Sequence, residues 1–351
     1  MRRLIVFVVL LALLATPLYA DGDGAKVLPA GVLRTTLAPM YAFYGDTFKR
    51  DFGFGREMND QVRFFNLGIA LEYGVTDWIT AAVQWAPGWT IWSYVDTAFQ
   101  FDEDPKLHRF FDMFAGAKVQ IIGENAPVLR SDMRLAFAPG IKFPLGYPDW
   151  DGQYGAGLWD VSEDPFILYS PDTNQLGLGV RLYYDYIFNA SWWVNLFGEG
   201  VLYVMDGYAP NLLAHNDAGK DGVEDEFDRR WDVELEIEPH FETPLRPDLR
   251  FGASLPVKIA YAPEITLEGD KLSKWEGDVA GRAFDYPGIK GPVTGPFATL
   301  SVGPTVRLIA APQGRSPLEF VLKYTAPVAG LNAPTSHTIS LQVRNYWQIR
   351  N

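Results

Sequence analysis

Segment 231–243 alternates strictly between two kinds of side chain, and this pattern restricts the folds open to the chain. One set is apolar or aromatic and comprises Trp231, Val233, Leu235, Ile237, Pro239 and Phe241. The other set is ionisable and comprises Asp232, Glu234, Glu236, Glu238, His240 and Glu242. Successive side chains of an extended chain point to opposite faces, so the segment predicts a strand with one apolar and one charged face.

Similar alternating segments recur along the whole chain and predict twelve strands. Their ranges are 31–44, 61–73, 78–92, 110–122, 130–144, 175–188, 192–205, 231–243, 249–261, 296–310, 318–327 and 337–348. Short connections (74–77, 123–129, 189–191, 244–248 and 311–317) alternate with longer ones (45–60, 93–109, 145–174, 206–230 and 262–295), and only the last of the second group, 328–336, is brief. Tight turns on one rim and long polar loops on the other are typical of an outer-membrane barrel.

The cost of facing lipid decides which way the charged face points. A cation on the lipid face costs about 2–4 kcal/mol near the midplane, and an acid somewhat less. A backbone in hydrocarbon must also bond all its polar groups, which a sheet achieves only when it closes without an edge. We therefore predict an all-β fold: a closed antiparallel up-and-down transmembrane β-barrel of about 12 strands, with short periplasmic turns and long extracellular loops.

The start of the chain predicts export. Residues 1–20 have a basic start, an apolar run and a small residue, Ala20, before Asp21, which is typical of a signal peptide. Residues 21–351 then form a single transmembrane barrel domain in the outer membrane. The chain has no cysteine, which excludes disulfides and thiolate metal sites, and its net charge of -13 argues against a nucleic-acid partner.

Two stretches carry a resemblance to a known family. LEYGVTDWITAAVQW crosses the first tight turn, and HTISLQVRNYW is the alternating final segment. Together with the signal peptide they resemble Gram-negative or spirochaete-type outer-membrane β-barrels of the porin-like channel family, over essentially the whole mature chain. The resemblance implies outer-membrane lipid and the outer-membrane insertion machinery as partners. The family usually ends on an aromatic residue, whereas here Trp347 is followed by four more residues.

Alternation assigns a polar set of side chains to the barrel interior. The predicted pore-lining residues are Arg34, Glu72, Lys118, Asp132, Arg134, Lys142, Arg181, Asp185, Glu199, Asp232, Glu234, Glu236, Glu238, His240, Glu242, Arg250, Lys258, Arg307, Glu319, Lys323 and Arg344, and Asp112 shares their pattern. Cations and acids nearly balance, which predicts a narrow lumen filled with opposite charges and weak charge selectivity. The acidic stripe of segment 231–243 adds a local excess that favours cationic or neutral solutes.

The hairpin that follows segment 231–243 predicts particular charge pairs. It places Glu242 or His240 near Arg250, and Asp232 or Glu234 near Lys258.

The same hairpin bears on a hydrolase, which needs a serine within reach of a histidine. It predicts Ser254 opposite Glu236 or Glu238 rather than His240, so no catalytic residue and no cofactor are predicted.

Loop 216–228 partly matches a calcium-binding loop. Asp217, Asp221 and Asp228 occupy ligand positions, but Gly219 stands where an oxygen ligand is needed. A solvated acidic surface loop is the simpler interpretation.

Three functions are compatible with this barrel. A passive channel for small solutes is favoured by the balanced lumen and by the roughly ten residues before the first strand, which leave no room for a plug domain. A surface structural or adhesive barrel would bind through its long loops. An outer-membrane lipid hydrolase is disfavoured because His240 points inward.

Overall fold

The computed structural model describes residues 24–49, 51–86, 88–94, 108–109, 113–143, 176–204, 231–263, 266–267, 270–271, 296–311 and 316–349. This part of the chain is all-β. It contains no helix long and apolar enough to cross a membrane. The predicted signal peptide, residues 1–20, lies outside the described residues.

The strands follow one another in an almost unbroken series along the described chain. In order they are β1 (Val32–Phe48), β2 (Arg56–Thr76), β3 (Ile79–Trp85), β4 (Gly88–Tyr94), β5 (His108–Arg109), β6 (Met113–Gly123), β7 (Val128–Leu129), β8 (Met133–Phe143), β9 (Gly177–Ile187), β10 (Trp192–Tyr203), β11 (Trp231–Arg246), β12 (Leu249–Ser254), β13 (Val257–Ala262), β14 (Thr266–Leu267), β15 (Asp270–Lys271), β16 (Phe297–Val302), β17 (Thr305–Ala310), β18 (Leu318–Leu331) and β19 (His337–Gln348).

These strands close into a barrel. In the part of the chain that the structure describes, each strand of the ring pairs antiparallel with its ring neighbours, and β1 pairs with β2 on one side and with β19 on the other, so the ring has no free edge. The described strands form a ring of 12 positions, with β3/β4, β5/β6, β12/β13 and β16/β17 each sharing one position and β7, β14 and β15 outside it. The predicted fold class and strand number are confirmed.

Proline divides two of the long strands. β12 and β13 are separated at Leu255–Pro256, and β16 and β17 at Gly303–Pro304. Proline has no N–H to donate to a ladder, so the residue before each proline donates the bond at the junction. The Leu255 N–H donates to the Pro239 carbonyl at 3.2 Å, and the Gly303 N–H donates to the Pro256 carbonyl at 2.8 Å. The chain therefore continues in register across both breaks.

The two faces of the wall differ as alternation requires. On β9 the outward Leu178, Val180 and Leu182 are about half exposed, whereas the inward Arg181 and Asp185 are 4% and 2% exposed. Adjacent residues must point to opposite faces, so only one of a pair of tryptophans at the start of β10 reaches the outside.

That pair is Trp192 and Trp193. Trp192 is exposed outward. Trp193 instead stacks on His240 inside the barrel, with ring centroids 4.8 Å apart and planes 8° apart.

Candidate functional site

The inward side chains of β11 meet bases from the neighbouring strands. Lys258 Nζ lies 3.0 Å from Glu234 Oε2, and Arg250 Nε lies 2.8 Å from Glu242 Oε1. Both pairs were predicted from the hairpin and are confirmed. Asp232, at the far end of the strand, accepts a hydrogen bond from the Tyr203 hydroxyl at 2.9 Å.

The register of the hairpin differs by two residues from the nearer of the two predicted alternatives. Ser254 lies directly opposite His240, not opposite Glu236 or Glu238. β11 runs on to Arg246, the turn has only two residues, and a bulge between Pro244 and Arg246 shifts the pairing. The Ser254 hydroxyl nevertheless donates to Glu238 Oε1.

The middle of β11 is the most deeply buried part of the charged face. Glu236 and Glu238 are 4% and 2% exposed, and His240 is equally buried. His240 Nε2 lies 3.1 Å from Glu238 Oε2. Lys323, on β18, places its Nζ 3.9 Å from Glu236 Oε2. Buried carboxylates are stable only beside such partners, since isolated charges lose their hydration.

The Glu319 carboxylate pairs with several donors near the short-turn rim. Arg307 Nε lies 3.0 Å from its Oε1, and Arg344 Nη1 lies 3.2 Å from the same oxygen. The Tyr346 hydroxyl donates to Oε2 at 2.6 Å. We call the inward ionised side chains of these neighbouring strands the charged wall; they are Glu234, Glu236, Glu238, Lys258, Arg307, Glu319 and Lys323.

A second node joins β8, β9 and β10. Lys142 Nζ lies 3.1 Å from Glu199 Oε1, and the Arg181 guanidinium pairs with the other carboxylate oxygen. Arg181 also donates to Gln84 Oε1 at 2.9 Å and lies 3.8 Å above the Phe114 ring. The ring fits because residue 140 is glycine: a Cβ there would lie 2.1 Å from a Phe114 ring atom.

Two further pairs complete the charged interior. Arg34 binds Glu72 with two bonds, Nε to Oε2 at 2.6 Å and Nη2 to Oε1 at 2.7 Å. Asp185 accepts from Asn195 Nδ2 at 2.9 Å and lies 3.5 Å from Arg134 Nη1.

The opposite side of the interior has small side chains. We call this surface, formed by β1, β2, β3, β6 and β8, the open wall; its residues are Ala38, Gly68, Ala70, Ala82, Gly116 and Ala138. A cavity of about 80 Å³ lies against it. A second cavity of about 330 Å³ reaches the short-turn rim, where Asp77 and Glu124 line it. The cavities share Arg34, Glu72, Thr80 and Lys118, so they adjoin.

Residues 24–31, which we call the N-terminal segment, lie inside the barrel on the short-turn side. The Ala25 N–H donates to Asp185 Oδ1 at 3.1 Å, and the Ala25 carbonyl accepts from Gln120 Nε2 at 2.9 Å. Lys118 Nζ donates to the Gly24 carbonyl at 3.0 Å. Sequence analysis predicted only that the residues before the first strand are too few for a plug domain, and this segment has no periodic pattern that would have indicated its path.

Two more contacts fix where the N-terminal segment enters. The Leu28 N–H donates to Thr80 Oγ1 at 2.8 Å, and the Gly31 N–H donates to the Gly74 carbonyl at 2.8 Å. A Cβ at Gly74 would lie 1.9 Å from the Pro29 oxygen, so the close approach requires glycine.

Lys26, within the N-terminal segment, lines the larger cavity. Burial lowers the pKa of Lys26, and Arg134 lowers it further, while Glu242 and Glu124 oppose this shift.

Several predicted site residues lie elsewhere. Asp132 is in the bend before β8 and pairs with the exposed Arg130 at 2.6 Å, because β8 begins only at Met133. Arg250 is at the rim, with about half of its side chain exposed. The calcium candidates Asp217, Asp221 and Asp228, and also Asp112, lie outside the described residues.

Comparison with known proteins places the fold. No protein-family model matches the chain, and no curated protein matches its sequence. An outer-membrane channel from Pseudomonas putida F1 is similar at 13% identity over 94% of this chain and 100% of that one, with a TM-score of 0.57. The β domain of a Bordetella autotransporter is 10% identical over 89% of this chain and 98% of its own, with a TM-score of 0.41. The translocator domain of an autotransporter from Neisseria meningitidis is 10% identical over 93% and 89%, with a TM-score of 0.37. The chain therefore has the fold of outer-membrane β-barrel channels.

Proposed function

We propose that this protein is a passive outer-membrane channel for small solutes. The observation that carries the proposal is the unfilled space along the open wall. The two adjoining cavities, about 80 Å³ and about 330 Å³, run from the short-turn rim into the middle of the barrel. Their shared residues, Arg34, Glu72, Thr80 and Lys118, are polar.

Barrel size supports a narrow pathway. Side chains fill a barrel of about eight strands, whereas one of about sixteen leaves an aqueous channel. A ring of 12 positions falls between them, so the size of the inward side chains decides whether space remains. Alanine and glycine on the open wall leave that space. The P. putida protein with the similar fold is described as an outer-membrane channel, which agrees with this proposal.

The hydrolase alternative is not favoured by the surroundings of His240. Trp193 covers the imidazole ring, and the Ser254 hydroxyl donates to Glu238 although it sits opposite His240. His240 is buried inside the barrel, away from the membrane lipid that a lipid hydrolase must reach. These contacts favour a structural role for His240, Ser254 and Glu238.

Planar-bilayer recording of the purified, folded protein tests the proposal. We expect stepwise currents from single insertions. Migration on unheated gels identifies folded protein, and co-flotation with liposomes establishes its insertion. Folded and inserted protein that gives no current above the bare bilayer would contradict the proposal and favour the surface-binding alternative.

A further inference from the structure

The ionised side chains of the interior are not distributed evenly around the open space. The cavity of about 80 Å³ is lined by residues from β1, β2, β3, β6, β8, β9 and β19. Among its described lining residues, four are cations and one is an acid. The cations are Arg34, Lys118, Arg181 and Arg344, and the acid is Glu72.

The carboxylates paired with two of these cations lie away from the cavity. Arg181 pairs with Glu199, and Arg344 pairs with Glu319, but neither carboxylate lines this cavity. Both ion pairs are therefore oriented with the guanidinium toward the space. Among the lining residues that the structure describes, only the Arg34–Glu72 pair presents both charges to it.

Lys118 adds a cation where the two cavities meet. Its Nζ donates to the carbonyl oxygens of Gly24 and Lys26, at 3.0 Å and 3.4 Å, and lies 4.0 Å from the centre of the Tyr183 ring. A solute passing between the cavities therefore passes an ammonium group.

The buried acids of β11 are withdrawn from both cavities, although Glu72, Asp77, Glu124 and Glu319 line the larger one. Glu234, Glu236 and Glu238 line neither of the two cavities. Lys258, Lys323, His240 and Ser254 contact them instead. The acids that led the sequence analysis to favour cationic solutes are therefore paired within the charged wall and do not line the cavities.

The geometry points to a pathway that prefers small anions, such as chloride and short carboxylates, over cations of similar size. This inference rests on the proposed channel function and adds the sign of the preferred solute. Low-dielectric walls strengthen the field of a narrow cleft, and a potential of about half a kT per unit charge already changes the anion-to-cation occupancy ratio about threefold. The preference should weaken in concentrated salt, since the Debye length falls from about 10 Å at 0.1 M to about 3 Å at 1 M.

Reversal potentials in a potassium chloride gradient test this inference on the full-length protein in planar bilayers. We expect chloride to be about threefold more permeant than potassium near 0.1 M salt. Ala38, on the open wall, provides a matched pair of variants that removes no existing ion pair. Ala38→Asp should lower the chloride-to-potassium ratio about threefold, whereas Ala38→Asn, equal in size, should leave it unchanged.

The possible results distinguish failure of the anion preference from failure of the proposed channel function. Currents that prefer potassium, or that prefer neither ion, overturn the inference and leave the channel in place. Equal changes in Ala38→Asp and Ala38→Asn also overturn it, because size rather than charge would then control permeation. Absence of any wild-type current overturns both. If Ala38→Asp does not fold, Ala70→Asp and Ala70→Asn provide the same comparison on the next strand.

Discussion

The charged wall and the open wall obey the same alternation but fill the barrel differently. Both have apolar side chains outward, so both suit lipid. Inward, the charged wall carries long ionised side chains that reach one another, whereas the open wall carries alanine and glycine beside the cavities. Alternation thus determines which face is polar, and side-chain volume determines where space remains.

Removing the acid shared by several donors should have the largest effect on stability. Glu319→Gln leaves Arg307 and Arg344 without their carboxylate, and Arg344 is buried. Breaking a buried ion pair from one side costs about 3–5 kcal/mol. We expect a loss of this size in the free energy of unfolding, measured by urea titration in detergent micelles.

Asp132→Asn is the control for this measurement. Asp132 pairs with Arg130 on the exposed short turn, where solvent screens the pair. Its unfolding midpoint should match that of the wild type. A loss in Glu319→Gln no larger than that in Asp132→Asn would mean that the charged wall does not depend on its ion pairs.

Overpacking beside the open wall should give the next largest effect on stability. A methyl group at Gly140 would lie 2.1 Å from a Phe114 ring atom, so Gly140→Ala must displace the ring and the Arg181 group above it. Overpacking of this kind costs about 1–3 kcal/mol. Gly200→Ala is a matched control on β10, because nothing lies within 4 Å of the added carbon. Equal unfolding midpoints for the two variants would show that the ring has room to move.

The sequence predicted the ring far better than its contents. Twelve alternating segments are visible because lipid requires an apolar outward face over the whole height of each strand. Pairing within the ring is less visible: the turn after β11 has only two residues and a bulge at Leu245 shifts the pairing by one, so Ser254 lies opposite His240, and no local pattern signals either feature. The path of the N-terminal segment depends on distant partners such as Asp185 and Gln120, so no local pattern encodes it.

Filling the cavity beside the open wall should reduce the single-channel current without loss of stability. Ala82 faces the cavity and Ala81, its neighbour on β3, faces outward and is exposed. Ala82→Leu should lower single-channel conductance on the order of twofold, since added side-chain volume fills a barrel interior. Ala81→Leu should conduct like the wild type because its side chain meets lipid. A normal conductance in Ala82→Leu would place the permeation path elsewhere.

The smallest effect concerns the contact between the open side of the barrel and the N-terminal segment. Thr80→Val keeps the shape of the side chain but removes Oγ1, which accepts from the Leu28 N–H. A buried donor left without a partner costs about 1–3 kcal/mol, but only where the chain cannot shift to find another acceptor. The N-terminal segment is anchored separately at Ala25 and Gly31, so we expect a local rather than a global loss of stability.

Hydrogen exchange at the Leu28 amide should become faster in Thr80→Val and remain slow in Thr80→Ser, which keeps the acceptor. If exchange is equally slow in both variants, other contacts hold the segment, and its entry is fixed by Gly74 rather than by Thr80.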